Sequence, residues 1–259
     1  MAHPLYFHQG FQRASPLAFT ALQESSDVNS PLTLVFDLDG TLVDTAPDLI
    51  AAANHVMAQT GRPPAVDAVL RPAVSHGALA MVRAAIGPEA RDWPEEKLYP
   101  LFEAFIAYYE RHIADVSRPF PGVLDALDRA AAAGHILAVC TNKREKLARQ
   151  LLSELGMTGR FAAISGRDTF PVYKPDPVHL TATIARAGGA DRRAVMIGDS
   201  SVDVATAKAA RIPVVAVGFG YSDPPVATFA PDHLIHHYDE FDGALASLVR
   251  QGRFSPVPD

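Results

Sequence analysis

The sequence predicts an α/β fold, a mostly parallel sheet with helices on both faces, interrupted once by a small all-helical unit. Three observations carry this. Short runs rich in β-branched residues alternate with helical patterns, as βαβ units do. Three of the runs end in polar residues: Asp37 and Asp39, then Thr141, then Asp199. In a parallel sheet such ends share one edge. From about residue 46 to 117, no strand pattern occurs.

The elements follow in order. Residues 1 to about 30 mix Pro, Gln, Ser and His with scattered aromatics. They lack the basic start and apolar block of a secretory signal. This stretch is expected to be an extension, partly disordered, outside the chemistry; a mis-set start site and a family-specific arm both account for it. Pro31 to Asp37 is the first strand, and Gly40 lets the chain turn sharply after it. Thr45 or Ala46 can cap the next helix, with Pro47 in its first turn and Gly61-Arg62-Pro63-Pro64 ending it. Helical patterns follow over Ala78 to Ile86 and Glu95 to Ala114. In the second, Leu98, Leu101, Phe102, Phe105, Ile106 and Tyr109 recur at helical spacing. Pro119-Phe120-Pro121-Gly122 returns the chain to the sheet domain. Strands are then expected at 135–140, 161–165, 194–197 and 214–217. Helices are expected at 123–133, 144–155, 178–186, 202–210 and 239–249.

Composition narrows the function. The chain has 259 residues, 48% of them hydrophobic, enough for one sizeable domain with an insert. A net charge of -6 argues against a nucleic-acid binder. Cys140 is the single cysteine, so no internal disulfide forms and a reducing, cytoplasmic location is expected. Inside its apolar run Cys140 reads as a small buried hydrophobe. No apolar run approaches the roughly 18 residues that span a bilayer.

The strand ends hold the chemistry. Asp37 and Asp39 repel when both are ionised, so the pair wants a cation or a shared proton. Lys174 precedes Pro175, which biases it toward extended backbone. The inventory is one hydroxyl, one ammonium and several carboxylates. Carboxylate oxygens suit Mg²⁺, and the hydroxyl and ammonium suit phosphoryl oxygens.

Together these residues resemble the haloacid dehalogenase superfamily phosphatases. Asp37-Leu38-Asp39-Gly40-Thr41 is similar to the first motif, Thr141 to the second, Lys174 to the third, and Gly198-Asp199-Ser200-Ser201-Val202-Asp203 to the fourth. All four occur in order, and the likeness covers about residues 31 to 250. Thr45-Ala46-Pro47-Asp48, the stretch from Arg71 to Ala78, and Asp168-Thr169-Phe170 through Pro177 bring the chain nearest the phosphoglycolate phosphatase branch.

The resemblance implies a Rossmann-like core, residues 31–45 and 118–252, with a helical cap over 46–117. It implies that Asp37 is the nucleophile, forming an aspartyl-phosphate, and that Asp39 is the general acid and base. Mg²⁺ would be held by Asp37, Asp199 and the backbone carbonyl of Asp39, with Asp203 orienting the set. Thr141 and Lys174 would bind the phosphoryl group, assisted by Asn142 and by the backbone amides of the Asp39–Gly40 turn. From the cap, Arg71, Ser75, His76 and Arg83 are candidates to meet the rest of the substrate, since Arg matches a carboxylate well. The other histidines, His236 and His237 among them, read as surface residues.

The expected function is Mg²⁺-dependent hydrolysis of a small phosphorylated metabolite, with 2-phosphoglycolate leading. The expected state is a monomer or homodimer without nucleic acid or membrane. The alternatives are a β-phosphoglucomutase-like or pyrophosphatase-like enzyme and a non-catalytic binding protein on the same fold. A haloacid dehalogenase fits less well, because that branch lacks an acid at the position of Asp39.

Overall fold

The computed structural model describes residues 31–254. The expected N-terminal extension lies outside them. The central sheet has six strands in the order β5-β4-β1-β6-β7-β8: β1 Thr33–Phe36, β4 Ile136–Cys140, β5 Ala163–Ser165, β6 Ala194–Gly198, β7 Val214–Val217 and β8 His233–Ile235. Every pairing is parallel. β1 lies at the middle, with Phe36 in register with Val139 on one side and Ile197 on the other.

The apolar runs are continuous because both faces are covered, yet they sort by period two. Leu34, Phe36, Val139, Ile197 and Val215 enter one core, together with α5 Val123–Ala132, α6 Glu145–Glu154 and α9 Phe241–Arg250. Val35, Ala138, Cys140, Met196 and Ala216 enter the other, with α7 Pro177–Arg186 and α8 Ser201–Ala210.

Between β2 Val43–Asp44 and β3 Arg118–Pro119 the chain makes four helices: α1 Ala46–Gln59, α2 Asp67–Ala73, α3 Ala78–Ile86 and α4 Glu95–Arg111. Of the apolar positions expected in α4, Leu98, Phe105 and Tyr109 are fully buried; Leu101 and Ile106 pack at the margin. β2 and β3 form a two-residue antiparallel ribbon at the base of this excursion. Asp48, 2% exposed, fastens the same base by accepting from the amides of Val116 and Ser117 and from the Ser117 hydroxyl.

Several local expectations need correction. β8 sits at the sheet edge with two of its three residues half-buried, so its apolar signal is weak. Helix α2 carries Pro72 inside it and was hidden by that proline. Thr45 does precede α1, but its buried hydroxyl makes no cap bond; the Ala46 amide instead donates to the Tyr221 hydroxyl at 3.1 Å. His179 is fully buried rather than superficial.

Candidate active site

Three adjacent strands deliver the site. Asp37 follows β1, Thr141 follows β4 and Asp199 follows β6, all at carboxyl ends along one edge. The chain folds this way locally for identifiable reasons. The Asp37 amide donates to the Ile197 carbonyl at 2.8 Å, carrying the ladder just past the last residue of β1. Gly40, at φ +78°, then turns the chain beneath Asp199. A Cβ on Gly40 would lie 2.5 Å from Asp199 Oδ2, so a glycine is required by space as well as by backbone conformation.

Asp199 is 1% exposed. It accepts from Thr41 Oγ1 at 3.2 Å and from the Tyr221 amide at 2.9 Å. Ser200 caps α8 in a capping box with Asp203: Ser200 N and Oγ donate to Asp203 Oδ2 at 3.1 and 2.6 Å. The remaining oxygen of Asp203, Oδ1, accepts from Lys174 Nζ at 2.6 Å. Lys174 Nζ also lies 3.0 Å from Asp37 Oδ1, a close ion pair whose angle falls outside hydrogen-bond geometry. Asn142 Nδ2 donates to the Lys174 carbonyl at 2.9 Å and so ties the loop after β4 to the lysine loop.

The electrostatics show the strain of this crowding. Burial pushes Asp37 up to about 6, with Asp203 and Asp39 adding to the effect and Lys174 opposing it. Burial, then Asp203 and Asp37, drive Asp199 well above the ordinary carboxylate range. Burial pulls Lys174 down, but Asp203 and Asp37 together outweigh it and hold the ammonium charged. Asp37, Asp199 and Asp203 bring one oxygen each within 4.8 Å of one another. Three acids against one ammonium leave a deficit of positive charge that a divalent cation fits, and an all-oxygen donor set suits Mg²⁺. The Asp39 carboxylate is not in that group. It is turned to Lys143, whose Nζ lies 2.7 and 2.9 Å from its two oxygens.

A cavity of ≈ 530 Å³ opens over these groups. Its floor includes Asp37, Asp39, Thr141 and Asp199, and its roof is drawn from α3, α4 and the turn before α3. Ser75 and His76 line it; Arg71 does not. The Arg71 guanidinium lies on Asp67 at 3.0 Å and over the Tyr221 ring. Arg83 borders the cavity, but its Nη1 donates to the carbonyls of Arg91 and Trp93 at 3.1 Å, which closes the turn after α3. The Gly40 amide donates to the Val43 carbonyl at 3.0 Å and is not available to a phosphate. Thr141 Oγ1 accepts from the Lys143 amide at 3.2 Å, which leaves its own proton to donate.

Comparison with known proteins agrees with this geometry. The sequence pattern of the family described as haloacid dehalogenase-like hydrolase matches residues 34–217. The chain belongs to that family. A protein named phosphoglycolate phosphatase from Mesorhizobium japonicum is 47% identical over 84% of this chain and 96% of its own length. A phosphoglycolate phosphatase from Agrobacterium fabrum is 44% identical over 86% of this chain and 96% of its own. A crystal structure described as a "predicted phosphoglycolate phosphatase" from Haemophilus somnus superposes with a TM-score of 0.75 at 27% identity, over 82% of this chain and 97% of that one.

Sequence reasoning missed three residues of this haloacid dehalogenase-like hydrolase's site. Lys143 is two positions past Thr141, and only folding reveals its contact with Asp39. Tyr109 of α4 presents its ring 4.8 Å from Lys143 Nζ. Tyr221 packs beside Gly40 and donates to Asp44 Oδ1 at 2.6 Å. The signal available for Lys143 was its place at a strand end, among polar neighbours. Cys140, as expected, is buried; its thiol is pushed up to about 12 by burial and faces His179 Nδ1 at 3.5 Å.

Proposed function

We propose that this chain is a Mg²⁺-dependent phosphatase that hydrolyses 2-phosphoglycolate to glycolate and phosphate. The observation that carries the chemistry is the convergence of Asp37, Asp39, Thr141 and Asp199 on one cavity floor, with Lys174 Nζ buried 3.0 Å from Asp37 Oδ1. The names of the relatives at 47% and 44% identity support the substrate.

In this reading Asp37 attacks phosphorus through a carboxylate oxygen, and Asp39 gives a proton to the departing ester oxygen. Water then attacks the aspartyl-phosphate, Asp39 takes its proton, and Asp37 is released. Lys174 and the Thr141 hydroxyl bind phosphoryl oxygens and hold the group in line, which is most of what phosphoryl transfer asks of a protein. Mg²⁺ held by Asp37, Asp199 and the Asp39 carbonyl would offset the repulsion between Asp37 and the incoming phosphate. Asp203 fixes Lys174 and the turn that bears Asp199. Residues 46–117 act as a cap over the core of 31–45 and 118–252, excluding water from the intermediate. Ser75 and His76 face the substrate from that cap; Arg71 and Arg83 serve its framework. Among the described residues no helix is long and apolar enough to cross a membrane.

The test is phosphate release from 2-phosphoglycolate, sugar phosphates and pyrophosphate, with Mg²⁺ and with chelator. A preference for 2-phosphoglycolate that chelator abolishes is expected. A sugar phosphate or pyrophosphate as best substrate would overturn the substrate assignment, and no turnover of any would overturn the enzymatic reading.

A further inference from the structure

We infer that Lys143 is the specificity residue of the leaving-group side, the cation that takes the carboxylate of the substrate. The inference rests on the phosphoglycolate reading above and extends it to a residue that none of the four motifs contains.

Three observations place it. Lys143 Nζ lies 2.7 and 2.9 Å from the two oxygens of Asp39, the group that must reach the ester oxygen. In 2-phosphoglycolate the carboxylate stands one methylene away from that ester oxygen. A substrate in hydrogen-bond reach of Asp39, about 2.5–3 Å, therefore presents its carboxylate beside the ammonium. Second, the Lys143 side chain is 6% exposed and is steadied by the Tyr109 ring at 4.8 Å. A sheltered ammonium binds a carboxylate more strongly than a solvated one and discriminates against neutral groups.

Third, the other cations at or beneath the cavity have their partners away from Asp39. Lys174 sits between Asp37 and Asp203, at the phosphoryl end. The Arg83 guanidinium faces the carbonyls of Arg91 and Trp93. Arg144 lies 5.5 Å over the Phe102 ring, and Arg167 4.5 Å over the Tyr173 ring. Lys143 alone among these cations has its charge on Asp39. A carboxylate entering there would share or displace the Asp39 contact, so substrate binding and release of the acid group become one event.

The experiment compares 2-phosphoglycolate with ethyl phosphate, which is close in size and has a neutral tail. kcat and KM are measured on both for the wild type, Lys143→Gln and Lys143→Arg. The expected result is that Lys143→Gln lowers the preference for 2-phosphoglycolate by about tenfold or more, mainly through KM, and that Lys143→Arg restores part of it. Parallel losses on both esters, with the preference kept, would overturn the inference and make Lys143 a residue acting through Asp39. Should Lys143→Gln turn over neither, the shift in Tm given by each ester with Mg²⁺ decides: loss of the 2-phosphoglycolate shift alone supports the inference, and equal retention of both sinks it. A wild-type enzyme indifferent to the carboxylate is a separate outcome, which removes the substrate reading and this inference with it.

Discussion

Asp48 and Ser117, sixty-nine positions apart, meet through two hydrogen bonds: the Ser117 hydroxyl donates to Asp48 Oδ2 at 2.6 Å and its amide at 2.8 Å. The first turn of α1 is thereby fastened to the segment that leads back into β3. Asp48→Ala strips an acceptor from three donors in a site with almost no solvent access. A loss of about 2–4 kcal/mol is expected, with a smaller loss for Asp48→Asn. Urea denaturation midpoints measure it, and a midpoint unchanged in Asp48→Ala would show the clasp to be idle.

Asp37→Asn keeps the shape of the nucleophile and removes its charge. kcat should fall by roughly a thousandfold or more, with no phosphorylated enzyme trapped on acid quench. The variant should fold, because the neutral amide relieves the crowding among Asp37, Asp199 and Asp203. Near-normal turnover would end the aspartyl-phosphate mechanism.

Gly40→Ala should disable the enzyme without touching a reacting atom. The new Cβ meets Asp199 Oδ2 at 2.5 Å and the side chain of Tyr221 at 2.9 Å, in a backbone conformation that L residues rarely adopt. The expected outcome is a stability loss of about 1–3 kcal/mol and a raised Mg²⁺ requirement, read from activity titrated against the metal.

Asp37 also sets a pH dependence. Its carboxyl is held at about 6 in the fold against 3.8 ordinarily. Between these values the metal-free native state keeps a proton that the unfolded chain has released. This group therefore lowers stability as pH rises from about 4 to 6, by on the order of 2–3 kcal/mol, and adds no further slope above that. The difference in unfolding free energy between wild type and Asp37→Asn, with chelator present, isolates the effect. Mg²⁺ binds the ionised carboxylate, so its stabilisation should be larger at pH 7.5 than at pH 5.

The fold was legible where burial and period are strong. β7 was predicted at 214–217 and α3 at 78–86, and the structure has both with those limits. Elements held together by partners rather than by their own residues were not legible. β2 and β3 are two residues each and exist through their pairing, and β8 is an edge strand next to β7. The site divides the same way. Asp37, Thr141 and Asp199 were visible because each follows an apolar strand, whose direction fixes where its end points. Lys143 was not, because its meaning lies in the adjacency of β1 and β4, which places it against Asp39. Arg71 looked suitable by charge, but Asp67 four residues earlier on the same helix holds it.

The ribbon at the base of the four helices has a consequence for how such a protein can change. The chain departs at Asp44 and comes back at Arg118, and these two residues are paired side by side. Whatever lies between them begins and ends at one point on the core, so a change in its length need not shift the strands of the sheet. The excursion is a cassette. Exchanging it for another of different size is expected to leave the strand-end residues seated while replacing the walls that α3 and α4 lend to the cavity.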